Sequence, residues 1–316
     1  ISEDIDDRID LGPAWVWPQF QPRLSQLLGE LKIDLFEQYT QGRMLYEQSS
    51  QNIQSHTGPS SHSQSYRISG GAEKLTGALT RRLNDASIFT GTPVSAINQS
   101  TLNILTTQNK QHLTFTADHI ILALPPRITL QTIKFTPPLS NDIVQLWKDT
   151  PTWMAGHCKL VFIYNSPFWR KQNLSGEVFS HQGPLSEIYD GSPDHKKQHT
   201  PYFALTAFVG LNAAQRKSIT SEDLIKQSMQ QLHRLFGDES QNVIDIQTRD
   251  WSEDPNTCSS IDLHGVPQHP QYPEDMPRFL NNKKIILAGT ELARENGGYL
   301  EGALESADEA ISILTD

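Results

Sequence analysis

Apolar positions along the chain change period repeatedly, and each change marks an element. Residues 22–33 place Leu24, Leu27, Leu28 and Leu31 at helical spacing. Gly70 and Gly71 open a second helix, with a stripe of Leu75, Ala78, Leu79 and Leu83. Short runs at 88–90, 93–97, 102–106 and 112–116, separated by turn residues, predict strands. Residues 117–126 read as a buried strand that stops at Pro125-Pro126. Pro137 and Pro138 lead into a helical segment, and residues 156–164 return to a strand. Residues 200–209 predict another strand. Residues 211–237 carry a helix through Leu224, Ile225, Met229, Leu232, Leu235 and Phe236, with Thr220 as N-cap and Asp223 three positions on. Residues 243–251 alternate as a strand. Residues 49–65 are rich in Ser, Gln and His and predict a loop. The mixture is that of an α/β (α+β) chain.

The C-terminal segment concentrates the candidate chemistry. Ile285, Ile286, Leu287 and Ala288 form a continuous apolar run, as in a strand covered on both faces. From Tyr299 onward, Leu300, Ala303, Leu304, Ala307, Ile311 and Leu314 recur at helical spacing. Gly297 and Gly298 fall where the chain turns into that helix. Glycines there let backbone approach a ligand, and first-turn amides favour negative charge. An ordinary strand–loop–helix connection is the plain alternative. Glu291 and Tyr299 crowded into the same turn favour a ligand-facing one.

Composition narrows the classes. A net charge of −10 with scattered Lys and Arg disfavours a nucleic-acid backbone as partner. No apolar run approaches the roughly 20 residues that span a bilayer. Cys158 and Cys258 supply neither a disulfide framework nor a zinc motif, and a reducing cytoplasm is the expected compartment. His56 and His62 read as solvated loop residues. His195 and His199 stand four apart in a polar loop without further ligands, so no metal is expected.

The segment Gly289-Thr290-Glu291, followed by Gly298-Tyr299-Leu300-Glu301-Gly302-Ala303, resembles the C-terminal signature of the flavin-containing amine oxidases, the monoamine oxidase family. The resemblance implies non-covalent FAD, with Glu291 on its ribityl or diphosphate part. It sets the Leu300 amide toward the flavin pyrimidine, where a helix N-terminus stabilises charge on the reduced ring. Tyr299 becomes one wall of the substrate site. Residues 10–18 resemble the family's Asp-Leu-Gly-x-x-Trp segment, which puts Gly12, Pro13, Ala14 and Trp15 near the isoalloxazine. From residue type alone, Trp15 and Trp17 read as core. Val94 matches a residue whose backbone meets the adenine, and Trp251 one that borders the flavin. Residues 49–65 stand where large relatives carry a helical insertion, so a more open active site is expected.

Lys159 lies in an apolar run ahead of Pro167-Phe168-Trp169. Taken alone it fits the solvent side of an edge strand. The resemblance instead gives it a water at flavin N5 and a part in reoxidation, since a lysine in a dry pocket has a lowered pKa. Where some relatives carry a flavin-linking Cys and a second cage Tyr, counting forward from Trp251 reaches Ser260 and Ile261. No covalent flavin link is expected, and the second cage wall is unassigned.

No Gly-x-Gly-x-x-Gly occurs in the chain. Relatives open with such a βαβ unit for the ADP part of FAD. The expectation is a chain lacking roughly forty to fifty residues of it, judged from the size of a βαβ unit, and exposing apolar sheet surface as a result. The domains expected are an FAD-linked reductase-like cofactor domain (1–35, 66–150, 243–316), interleaved with a mixed-sheet plus helices substrate domain (36–65, 151–242). The function expected is FAD-dependent oxidation of a small-molecule amine by a monomer or homodimer, without nucleic-acid or membrane partners. A flavin-free relic acting as a binding or scaffold protein is the alternative. A hydrolase lacks its motifs.

Overall fold

A computed structural model describes residues 9–83, 88–195, 202–263 and 268–315. Two compact units make up the chain, one from 1–82 with 157–250 and the other from 83–156 with 251–316. His199 lies outside the described residues, as does the start of the strand expected from 200.

The first unit is built on a seven-stranded sheet. Its strand order is Asp245–Asp250, Cys158–Tyr164, Phe203–Val209, Leu185–Asp190, Leu174–Ser180, Arg43–Ser49, Asn52–His56. All pairings are antiparallel except Leu174–Ser180 with Arg43–Ser49. Every residue of Cys158–Tyr164 is buried, because strands flank it on both sides and layers cover both faces. One face carries Leu160, Phe162, Val178, Ile188, Leu205 and Ala207 against Leu224, Leu232, Leu235 and Phe236 of helix Ser221–Phe236. The Thr220 hydroxyl accepts from the Asp223 amide at 3.0 Å, as its N-cap position predicts. Each fully buried Leu on that helix contributes about 1.5–3 kcal/mol. The opposite face of the sheet presents Lys159, Phe208, Glu187 and Tyr189.

Residues 52–56, expected as loop, pair with Arg43–Ser49 instead. Their side chains are mostly exposed, so backbone pairing at the sheet edge holds them and the polar sequence conceals it. His62 is also not a solvated loop residue. It is 7% exposed.

The second unit holds a four-stranded sheet in the order Gln111–Thr116, Asn103–Gln108, Val94–Asn98, Lys134–Thr136. It also holds a three-stranded sheet, Phe279–Leu280, Ile285–Ala288, Ile120–Ala123, in which the last two strands run parallel. Ile97, Leu102, Phe135, Trp147, Ile285 and Leu287 share its core. Residues 88–90 form no strand; Phe89 is 54% exposed and packs its ring on Phe115. Pro126 does not merely stop a strand. It opens helix Pro126–Thr132, where its missing N–H costs nothing.

Two apolar surfaces here differ from expectation. Ile120–Ala123 alternates between buried and exposed, with Ile121 43% exposed. Helix Leu300–Thr315 buries the small row Gly302, Ser306 and Ala310, whereas Ala303, Ala307 and Ile311 face outward. Small residues let this helix sit close on Ile286 and Ala288. The larger stripe therefore lines a groove of about 440 Å³, together with Ile121, Ala123 and Leu124.

Candidate functional site

In the first unit the site begins at Lys159, which is 4% exposed. Its ammonium donates to the carbonyl of Gly12 at 2.6 Å and lies 4.6 Å from the Phe208 ring centre and 5.9 Å from that of Trp15. Burial pulls its pKa down to about 8, against the opposing pull of Asp10. Strand pairing on both sides places Lys159 in the sheet interior, so the edge-strand reading fails.

Asp10 anchors the segment that meets this lysine. Its carboxylate accepts from the Ala72 amide at 2.8 Å and lies 3.7 Å from Arg67. Burial raises its pKa, while Arg67 and the Ala72 amide oppose the rise. Arg67 also donates to the Ser192 carbonyl at 2.8 Å. Val16 bridges to Tyr66, so the backbone of 10–16 is held at both ends. Trp15 donates to Gln38 at 3.0 Å and stacks on His62, with ring centres 4.2 Å apart and planes 14° from parallel. Tyr189 lies 4.5 Å from the Trp15 ring. The core reading of Trp15 is thus half right: it packs, but among polar and titratable groups.

In the second unit the turn after Ile285–Ala288 is stitched by one hydroxyl. Thr290 Oγ1 donates to the Tyr299 carbonyl at 2.7 Å and accepts from the Gly298 amide at 2.8 Å. Gly289 (φ +116°) and Gly298 (φ +91°) hold backbone conformations open to glycine. Glu291, 4% exposed, is among the residues that line the 440 Å³ groove, and burial raises its pKa. Glu305 reaches back from the helix and accepts from the amides of Arg294, Glu295 and Asn296 at 2.6, 3.2 and 3.3 Å. Tyr299 packs in a ring cluster with His269 and Trp153, at 5.1 and 5.0 Å between centres. Ile261, at the position where a second cage ring was sought, is 44% exposed.

Comparison with known proteins decides the family. The model of flavin containing amine oxidoreductases matches residues 56–310. The chain belongs to that family. Its relatives include the probable flavin-containing monoamine oxidase A of Dictyostelium discoideum, 27% identical over 79% of this chain and 53% of the relative. Flavin-containing amine oxidase B of Cavia porcellus is 26% identical over 78% of this chain and 46% of the relative. The chain spans about half the length of the curated relatives it matches. Among solved structures, a redesigned putrescine oxidase superposes with a TM-score of 0.80 at 18% identity, covering 96% of this chain and 88% of that one. Cyclohexylamine oxidase from Brevibacterium oxydans is similar in fold at 15% identity, covering 97% and 88% of the two chains.

Within this chain, the first unit brings Gly12, Ala14, Trp15 and Lys159 into one neighbourhood, with Pro13 exposed on the same segment. The second unit brings Gly289, Glu291, Gly298, Tyr299 and Leu300 to one turn. Val94 opens a strand of the four-stranded sheet and is half-buried; Trp251 opens a 3-10 turn. Residue-level reading missed Asp10, Arg67, His62, Glu187, Trp153 and His269. Only Asp10 had a local signal, since it heads the Asp-Leu-Gly segment. The rest depend on strand register and loop folding. Among the described residues, no cluster of His, Cys, Asp or Glu could hold a metal ion.

Proposed function

We propose that this chain is an FAD-dependent amine oxidoreductase that dehydrogenates a C–N bond of a small amine, with dioxygen or another acceptor taking the electrons. The observation that carries the reading is the dry Lys159, hydrogen-bonded to Gly12 in the segment that resembles the family's flavin-facing stretch. FAD, when bound, supplies the two-electron, hydride-accepting centre.

The residues present fit such a group. Gly289 and Gly298 hold the positive φ that the turn needs, and a Cβ on Gly298 would approach Trp153 to 3.0 Å, so glycine there lets the turn close on that ring. Leu300 opens helix Leu300–Thr315, and amides at a helix start suit an electron-rich ring edge. Gly289 and Glu291 would hold the ribityl or diphosphate portion and the backbone at Val94 the adenine, while Gly12, Pro13, Ala14, Trp15 and Trp251 would border the ring. Lys159 would orient water and move a proton at its Nζ atom, and Tyr299 would position the amine.

The test is a visible spectrum of the protein purified with FAD, followed by anaerobic addition of amines. A flavin band near ~450 nm that bleaches with an amine is the expected result, because the flavin carries the hydride. A colourless protein that takes up no FAD would overturn the reading in favour of a flavin-free binding protein.

A further inference from the structure

Residues 269–272 pack against the glycine turn of the second unit, and the two glycines make room for them. A Cβ on Gly297 would meet the Pro270 carbonyl at 2.8 Å, and one on Gly298 would come within 3.2 Å of His269 Nδ1. Pro270 and Tyr272 are buried, and the Tyr272 hydroxyl donates to the Pro277 carbonyl at 3.0 Å. His269 stands exposed at the head of this anchored stretch. Trp153 stacks on its ring with centres 3.9 Å apart and planes 27° from parallel, and Tyr299 lies 5.1 Å away at the same angle.

The hydrogen bond at Nδ1 sets the tautomer. Nδ1 lies 3.0 Å from the Gly297 carbonyl oxygen, which can only accept, so the proton is on Nδ1. In the neutral ring the lone pair is then on Nε2. Because the side chain is exposed, water reaches it and can carry a proton away. The Trp153 and Tyr299 rings beside it stabilise the imidazolium formed when Nε2 takes up a proton. Glu291, the buried carboxyl of the same turn, is 4% exposed and lacks that exchange with water.

We propose that His269 is the base that takes a proton from the substrate ammonium and so delivers an uncharged amine to the site that Tyr299 walls. The proposal rests on the amine oxidoreductase reading and adds the step that precedes oxidation. An alkylammonium nitrogen has no lone pair, and hydride loss from the adjacent carbon needs that pair to form the C=N bond. In the step, one N–H bond of the ammonium breaks, its electron pair stays on the amine nitrogen, and the proton binds Nε2. The imidazolium then returns its proton to water, and nothing is oxidised or reduced. Ring contact with Tyr299 puts this base beside the amine, as proton transfer requires.

The test uses FAD-supplemented protein and two amines, 1-aminobutane and its 2,2-difluoro analogue, at a pH where the first is charged and the weakly basic second is not. In His269→Asn the side-chain amide reaches the Gly297 carbonyl as Nδ1 does but carries no basic nitrogen. Anaerobic flavin reduction by 1-aminobutane should slow roughly 100-fold or more in that variant, the usual share of a general base, while reduction by the difluoro analogue should match the wild type. Imidazole in solution should restore part of the 1-aminobutane rate in His269→Ala. Equal slowing with both amines and no rescue, or no slowing with either, overturns the proposal. So does a nitrogen NMR spectrum of histidine-labelled protein that puts the neutral ring's proton on Nε2. The expected tautomer with no flavin reduction by either amine in the wild type would instead overturn the oxidoreductase reading and leave the imidazole arrangement standing.

Discussion

Lys159 donates to the Gly12 carbonyl at 2.6 Å across 147 residues of sequence, tying the most buried strand of the first unit to the segment that begins at Asp10. A lysine in that setting has no solvent to stabilise its charge. Its partners are a carbonyl and two ring faces, with the carboxylates of Asp10 and Glu187 and the opposing Arg67 cation within electrostatic reach.

Replacing Lys159 by Met should slow flavin reoxidation by dioxygen far more than flavin reduction by amine. Stopped-flow measurement of the two half-reactions separates them; equal slowing of both would remove Lys159 from its assigned role. The wild-type reoxidation rate should also carry a pH limb near the lysine's value of about 8, which the Met variant lacks.

The same residue predicts a stability profile. Burial lowers its pKa from 10.5 to about 8, so between those values the unfolded chain binds the proton and the folded chain does not. Folding is therefore penalised below pH 8, and the penalty lifts as pH rises through 8 toward 10.5. Urea titrations at several pH values should show wild-type stability rising relative to Lys159→Met across that window.

Glu47 gives a test of the scaffold. It is wholly buried and accepts from Arg234 at 2.5 Å and from the Ser180 hydroxyl at 2.6 Å. Arg234→Ala leaves that carboxylate without its countercharge, a change that costs about 3–5 kcal/mol for a buried pair. Arg234 is itself 30% exposed, so water screens part of the effect and the lower end is expected. Chemical denaturation measures it, and a loss below about 1 kcal/mol, the level of a surface pair, would show the pair to be solvated.

What was legible in the sequence followed the range of the forces involved. The Thr220 cap, the helix after it and the apolar strand 285–288 are set by neighbours a few residues away, and each lies where the pattern put it. The glycine turn at 297–298 was visible for the same reason. His62 was not. Its burial depends on Trp15 and Glu187, which are 47 and 125 positions away, and a polar tract carries no local mark of such partners. Asn52–His56 was missed because an edge strand can be held by backbone pairing alone. The outward stripe of helix Leu300–Thr315 was misassigned because spacing reports which residues share a face, not which face is covered.

Thr290 offers a compact probe of the turn in the second unit. Thr290→Ala removes one donor and one acceptor, the bonds to the Tyr299 carbonyl and the Gly298 amide. Each is worth about 1 kcal/mol net, so FAD affinity should fall roughly tenfold or more as the turn loosens. Thr290→Ser keeps the hydroxyl and should bind FAD as the wild type does. Fluorescence titration with FAD distinguishes them, and similar loss in both variants would assign the effect to the methyl group.

Glu305 holds the loop ahead of that turn, and its contribution should be visible as acid sensitivity. Desolvation tends to raise its pKa, but the amides of Arg294, Glu295 and Asn296 and the Asn296 side chain outweigh it, leaving the carboxyl below its ordinary 4.5. A carboxyl with a depressed folded pKa contributes stability that is present above its unfolded value and lost as pH falls through its folded one. Glu305→Gln keeps the shape but accepts with a neutral oxygen. Because the group is only half-buried and water still reaches it, the difference at neutral pH should be modest, about 1 kcal/mol for weakened charge-assisted bonds. Thermal melts at pH 7 should place the Gln variant a few degrees below the wild type, and melts well below the ordinary carboxylate range should bring the two together. A gap that persists in acid would mean that Glu305 acts through packing rather than charge.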